Sequence, residues 1–181
     1  MPAHTDNPLM LILLISFLLS ALLSSLRGEG GEERTGKRHA KNRRIARRTA
    51  RRIRRNIAES TVENAVKYLR TVPPFVFEEL TLDAFERNGY RAVRNKRYTA
   101  DGGIDGRLRK RGRRYLVQCK RYKGYISAAD VEDFGTLCRD RGVRGFFVHT
   151  GKAGSKSLET GRNFNVKLID GPTLVLMLTR R

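Results

Sequence analysis

A chain of 181 residues has room for one globular domain of ordinary size plus additional segments, which excludes two full enzyme domains. With 38 Lys and Arg against 18 Asp and Glu the net charge is +20, and 39% hydrophobic residues exclude both a multi-span membrane protein and a plainly disordered chain; the cation excess asks for a polyanion partner. Two cysteines, Cys119 and Cys138, without a Cys-x-x-Cys pair, and only three histidines leave no disulfide framework or zinc cage, and fit a reducing compartment.

Leu9 to Leu26 is an unbroken run of 18 apolar and small residues. As a helix at about 1.5 Å per residue it approaches the roughly 30 Å thickness of bilayer hydrocarbon. Met1 to Pro8 contains no Lys or Arg and no A-x-A pattern follows, so a retained transmembrane helix fits better than a cleaved export signal or a leader from a mistaken start codon. Arg27, Lys37, Arg38 and Lys41 follow it, and positive flanks stay on the cytoplasmic side. The expectation is a single-pass protein of the cell (inner) membrane with everything after residue 26 in the cytoplasm.

Gly28, Gly30, Gly31 and Gly36 among charged residues read as a polar linker. Lys37 to Arg55 holds eleven basic residues and no acid. Arg44, Arg47, Arg48, Arg51 and Arg52 recur at helical steps, while Ile45, Ile53 and Ile57 are too sparse for a buried stripe, so this reads as a basic helical arm that can continue to Leu69. Such an arm tracks phosphates, meets anionic lipid headgroups, or simply fixes membrane topology. Pro73 and Pro74 end it and place the domain boundary, with 27–72 as linker and arm and 73–181 as the folded domain.

From there helices and strands alternate in one α/β domain without internal repeats. Phe77, Leu80, Ala84 and Phe85 at helical spacing, stopped by Gly89, predict a helix over Phe75 to Asn88, followed by a strand from Tyr90 to Arg94. Gly103 to Arg109 and Arg113 to Lys120 read as a strand pair around the turn at Lys110 to Gly112. Ser127 with Asp130 resembles a capping box and opens a helix to about Arg141. A strand over Gly145 to His149, a helix over Ser155 to Asn163, a strand over Val166 to Ile169 and a helix over Pro172 to Leu178 complete the chain.

The most informative stretch is Asp101-Gly-Gly-Ile-Asp105, followed by Gln118-Cys-Lys120. Glycines beside Asp105 let backbone and ligand approach closely. Gln118 and Lys120, two apart on a strand, share a face while Cys119 takes the other. If the strands pair, an acid, an amide oxygen and an ammonium converge, which suits Mg²⁺, or Mn²⁺, and hydrolysis of a phosphodiester.

These residues resemble the Mrr-type restriction endonuclease domain of the PD-(D/E)xK nuclease superfamily. Phe77-Glu78, Gly89-Tyr90, Asp101 to Asp105, Leu116 to Tyr122, Gly145 to Val148 with Thr150, and Leu168 to Gly171 follow in that family's order. The resemblance covers nearly all of Phe75 to Leu178 and nothing before it. It implies a restriction-endonuclease-like core, a central mixed β-sheet with helices on both sides, metal binding by Asp105 and Gln118, a catalytic Lys120, and an accessory acid at Glu78. Glutamine in place of the second acid is characteristic of the family. Asp101 matches a commonly acidic position.

Other readings stand beside these. Glu78 can instead pair with an arginine, and Glu79 reads as a solvated helix residue. Cys119 and Cys138 read as core packing, His149 as a structural strand end, and His39 as part of the charge run. Arg121, Lys123 and Lys152, with the arginines of the arm, are the expected DNA contacts, joined more loosely by Lys156 and Arg162. The segments before and after Pro73 carry net charges of +9 and +11, so both favour a polyanion. The expected function is a membrane-anchored, Mg²⁺-dependent endonuclease of double-stranded DNA, restriction-like, working as a homodimer on DNA if both strands are cut. A catalytically weak DNA-binding accessory protein at the membrane is the alternative, and RNA or branched DNA remain open as substrates.

Overall fold

The computed structural model describes residues 36–57, 61–94 and 103–180. Leu9 to Leu26, most of the glycine-rich linker and Asp101 lie outside them, so the expectations made for these residues stand as they were. The chain divides into two compact units, Met1–Arg38 and His39–Arg181, and the second contains the features below. Among the described residues no helix is long and apolar enough to cross a membrane.

Helix α1 covers residues 36–56. A separate helix α2 (Val62–Thr71) follows, its start fixed by Thr61, whose hydroxyl accepts from the Asn64 N–H at 3.3 Å. Pro74 sits in the first turn of α3 (Pro74–Arg87), where its missing N–H costs nothing. Five strands form one sheet: β1 (Arg91–Arg94), β2 (Gly106–Lys110), β3 (Arg113–Lys120), β4 (Arg144–His149) and β5 (Val166–Ile169), in the order of the chain. The first three are antiparallel neighbours; β3, β4 and β5 run parallel and are joined through α4 (Ala128–Asp140) and α5 (Ser155–Asn163). Helix α6 (Gly171–Thr179) closes the chain, capped by Asp170, which accepts from the Thr173 N–H at 2.9 Å.

Strand alternation separates two cores. Val117, Phe146 and Val148 pack with Phe77, Leu80 and Phe85 of α3 and with Leu174 and Leu178 of α6. The intervening Leu116 and Phe147 pack instead with Val131, Phe134 and Cys138 of α4. Helices therefore cover both faces of a mixed sheet, as the resemblance implies.

Three sequence expectations change here. Ala46, Ala50 and Ile53 of α1 are buried in the same core as α3, so the arm belongs to the compact unit, which begins at His39 and not at Pro73. The stripe was hidden because alanines, not large side chains, make it. Glu79 is 1% exposed, not solvated: its Oε2 lies 2.7 Å from Arg94 Nε and its Oε1 accepts from His39 Nδ1 at 2.8 Å. His39 therefore has a specific partner and is more than a member of the charge run. Arg94 also reaches Asp83 Oδ1 at 2.7 Å and Glu86 Oε1 at 2.8 Å, while Arg43 and Arg47 of α1 approach Asp83 at 3.5 and 3.6 Å.

This cluster is a fixed cost if broken. Burial pushes Asp83 above its ordinary value, even against Arg94 and Arg43, and Glu86 is held low by Arg94 against the same push. Removing one partner of a buried pair leaves the others uncompensated and costs about 3–5 kcal/mol, against about 0–1 for an exposed pair. Arg94→Met is expected to lose stability in the first range in urea unfolding; a loss in the second range would contradict a buried cluster.

Candidate active site

The site is assembled by the hairpin of β2 and β3. Arg111 (φ 49°) and Gly112 (φ 75°) both take positive φ, as a two-residue type I′ turn requires, and this sets Gly106 opposite Val117. Asp105, one residue before β2, then meets the end of β3: its N–H donates to Val117 O at 2.9 Å, and its Oδ2 accepts from the Cys119 N–H at 2.6 Å. Gln118 Nε2 donates to Gly103 O at 3.0 Å. Gly103 has φ +87°, and a Cβ there would stand 2.6 Å from Gln118 Nε2, so a side chain would displace the amide. With its nitrogen on Gly103, the amide has a defined orientation, and among the described residues the buried Gln118 Oε1 has no hydrogen-bond partner.

The carboxylates are electrostatically unsatisfied as well. Burial raises Asp105 to about 6, although the Cys119 N–H and the Lys120 charge both oppose the rise. Glu78, carried by α3, is raised to about 8 by burial and then by the charges of Asp105 and Glu79, with Arg121 opposing. Each of these groups would be relieved by a hard cation. Among the described residues no three His, Cys, Asp or Glu side chains form a metal cage; the donor set is two carboxylates and an amide oxygen, a chemistry that fits Mg²⁺ or Mn²⁺. Asp105, Gln118, Lys120 and Glu78 are thus brought to one end of the sheet.

Lys120 has its own support. Its Nζ lies 3.3 Å from Asp130 Oδ1, and Asp130 Oδ2 accepts from the Tyr122 hydroxyl. Only half of the expected capping box forms: Ser127 Oγ accepts from the Asp130 N–H at 3.2 Å, but the Asp130 carboxylate turns to Lys120 and Tyr122. Sequence reading missed this role because a helix cap already explained the residue. Cys119 packs toward the α3 side, and its thiol is pushed well above its ordinary value by burial, then by Asp105 and Glu78, which disfavours the thiolate. His149, paired with Lys120 in the β3–β4 register, is fully buried; burial lowers its pKa, and its Nδ1 faces Gly151 O at 3.2 Å. It is a neutral strand-end residue.

The expected DNA contacts fall into three settings. Lys123 and Lys152 are exposed just beyond β3 and β4, and their loops are joined where Lys152 N–H donates to Gly124 O and Ile126 N–H to Lys152 O, both 2.9 Å. Arg44, Arg47, Arg48, Arg51 and Arg52 line the exposed side of α1, with Arg52 stacked 5.1 Å over Tyr68. Arg121 is different: its Nη1 donates to Arg70 O at 3.2 Å and to Val72 O, so its guanidinium ties the end of α2 to the end of β3. Arg70, unnoticed in the sequence, completes the joint by donating to Thr150 O at 2.7 and 3.1 Å.

Against known proteins, the family model Mrr_cat, described as Restriction endonuclease, matches residues 69–178. No curated protein matches the chain. Among solved structures, MspJI restriction endonuclease in complex with a 27-mer oligonucleotide is similar over 66% of this chain and 30% of that one, with TM-score 0.51 and 24% identity. The likeness is one of fold, and this chain spans less than a third of that protein's length. A protein of unknown function is similar over 53% of this chain and 57% of its own (TM-score 0.44, 16% identity). SfsA of Pyrococcus furiosus in complex with Ca²⁺ is similar over 52% and 54% (TM-score 0.37, 16% identity).

The raised carboxyl groups generate a pH test. A group whose folded pKa lies above its unfolded value keeps a proton that the unfolded chain releases, so its effect becomes destabilising as pH rises through that interval. For Glu78 the interval runs from its ordinary value of 4.5 to about 8. In EDTA, Glu78→Gln is expected to melt with the native chain near the bottom of this interval and several degrees above it near the top, by calorimetry. Equal melting at both ends would contradict the buried, raised carboxyl.

Proposed function

The chain belongs to the Mrr-type restriction endonuclease family, and from that membership and the convergence of Glu78, Asp105, Gln118 and Lys120 we propose that it is a divalent-metal-dependent endonuclease hydrolysing phosphodiester bonds in double-stranded DNA. The observation that carries the reading is Gln118 Oε1, buried and unpaired among the described residues, on the strand whose Cys119 N–H holds an Asp105 raised to about 6. Asp105, Gln118 and Glu78 would hold Mg²⁺ or Mn²⁺. A bound ion of this kind lowers the pKa of water and offsets charge that builds on a phosphate. The Cys119 N–H fixes Asp105, and Gly103 O fixes the Gln118 amide so that its oxygen stays available. Lys120, steadied by Asp130, supplies an ammonium that orients the attacking water and stabilises the developing negative charge.

Duplex DNA suits the rest of the molecule. Lys123 and Lys152 flank the catalytic end, the arginine side of α1 offers further phosphate contacts, and a net charge of +20 gives affinity that falls steeply with salt. Cutting both strands takes two such sites, met as a homodimer on the duplex or used in succession. The proposal extends to a membrane tether at Leu9 to Leu26 with the nuclease on the cytoplasmic side, supported by the length of that run and the positive residues after it.

Supercoiled plasmid incubated with the full chain is expected to be nicked or linearised with Mg²⁺ and left intact with EDTA. Asp105→Ala and Lys120→Ala are each expected to slow cleavage by about 100-fold or more while still folding cooperatively. Cleavage that persists in EDTA, or in both variants, would overturn the assignment. Carbonate-washed membranes are expected to retain the full chain; its recovery wholly in the soluble fraction would overturn the tether alone.

A further inference from the structure

The end of the sheet away from Lys120 carries a second cationic surface that the catalytic reading does not use. β3 begins at Arg113 and reaches Gln118 and Lys120 near its other end, roughly 20 Å away at about 3.3 Å per residue. At this beginning, Arg113 and Arg114 of β3, Arg139 in the last turn of α4 and Arg144 at the start of β4 line a cleft of about 680 Å³, with Asn163 and Asn165 on its wall. Arg139 is held in place by stacking 5.1 Å over Phe164, which also lines the cleft. Adjoining hollows share Arg114 and Arg144 and continue to Arg109 and Arg141 on one side, and to Arg162 and Lys167 on the other. By strand alternation the first hollow lies on the α4 face with Leu116 and the second on the α3 face with Phe146, so the cationic surface wraps around this end of the sheet.

No carboxylate among the described residues lines any of these three hollows. Among the described residues Arg113, Arg114, Arg139 and Arg144 form no salt bridge, whereas Arg94 is saturated with acids elsewhere in the same unit. Guanidinium groups gathered without counter-charge repel one another, and an anion with repeated charges removes that repulsion. The length of the surface exceeds a single phosphate. A second copy of the described unit offers no complementary face at α3, because Glu79, Asp83 and Glu86 are occupied by its own Arg94, Arg43 and His39. A lipid surface suits it poorly: the central cleft is concave, lined by amide and guanidinium donors, and of the large exposed apolar side chains only Val93 borders the surface, in an adjoining hollow.

We propose that this face is a second DNA-binding site, which takes the phosphates of a duplex segment other than the one at the catalytic end, so that one chain bridges two segments. The identity of the polyanion rests on the nuclease reading; the site itself rests on the arginine cleft. The two sites lie at opposite ends of β3, roughly 20 Å apart, and in this proposal the contacts at its beginning belong to a separate segment.

The test uses the full chain in mild detergent and EDTA, a biotinylated duplex on beads and a free fluorescent duplex. The native chain is expected to capture the fluorescent duplex. The double variant Arg114→Gln with Arg144→Gln is expected to lose that capture by about tenfold and to lower the salt slope of the second binding event by about two, while binding to one duplex and Mg²⁺-dependent plasmid cleavage are unchanged. Arg139→Gln, a substitution outside the sheet, serves as an independent variant against misfolding, with melting checked for both. Capture undiminished in both variants would overturn the proposal. So would variants that lose binding to phosphatidylserine vesicles but not to the second duplex. Because capture is read without catalysis, a plasmid left uncut by the native chain would count against the nuclease reading and not against this site.

Discussion

A slip of one residue between β2 and β3 would turn Gln118 and Lys120 to the opposite face and take the Cys119 N–H away from Asp105. What prevents it is a pair of positive φ angles at Arg111 and Gly112, together with the alternation that puts Val117 into one core and Leu116 into the other. The register is therefore fixed twice, by turn geometry and by burial. The carboxylate, amide oxygen and ammonium come together as its consequence, and the glycine at 103 lets the strand entry approach the amide closely enough to fix its orientation.

The fourth member of the site depends on a different constraint. Successive helix residues point about 100° apart, so the rotation of α3 that buries Glu79 against Arg94 and His39 also decides where Glu78 points. The charge of Asp105 is among the causes that raise Glu78, in keeping with a rotation that turns it toward the Asp105 end of the sheet. The unit thus uses some of its many basic residues internally: Arg94, Arg43, Arg47 and His39 hold a helix, Arg121 and Arg70 hold a joint, Lys110 donates to Asn88 O, and Lys120 pairs with Asp130. In a chain this basic, position and not charge alone separates a phosphate contact from a structural tie.

The features legible in the sequence are those with local causes. β3, α5 and β5 have the bounds that periodicity and turn residues predict, and α3 lies within a residue of its expected span because Pro74 and Gly89 mark its ends. Asp105, Gln118 and Lys120 could be picked out because strand alternation and hairpin pairing are rules of short range. The rest needed partners far along the chain. Ala46 and Ala50 give no hydrophobic signal, so the docking of α1 was invisible; Glu79 looked solvated because its partners come 15 residues later and 40 earlier. Arg121 read as a DNA contact because nothing nearby announces the carbonyls of α2, and Asp130 was hidden behind its role at a helix start.

The two ends of the sheet divide the cationic surface between them, and the chemistry belongs to one. Gln118 Oε1 and the raised carboxyl groups support the same proposal, that this end of the fold holds a hard cation. Calorimetric titration of Mn²⁺ into the full chain, beside Asp105→Asn and Gln118→Met, measures that directly. The account predicts saturable binding to the native chain that is lost in Asp105→Asn and weakened in Gln118→Met, with both variants still folding cooperatively. Binding of equal strength in all three, or none to the native chain, would contradict it.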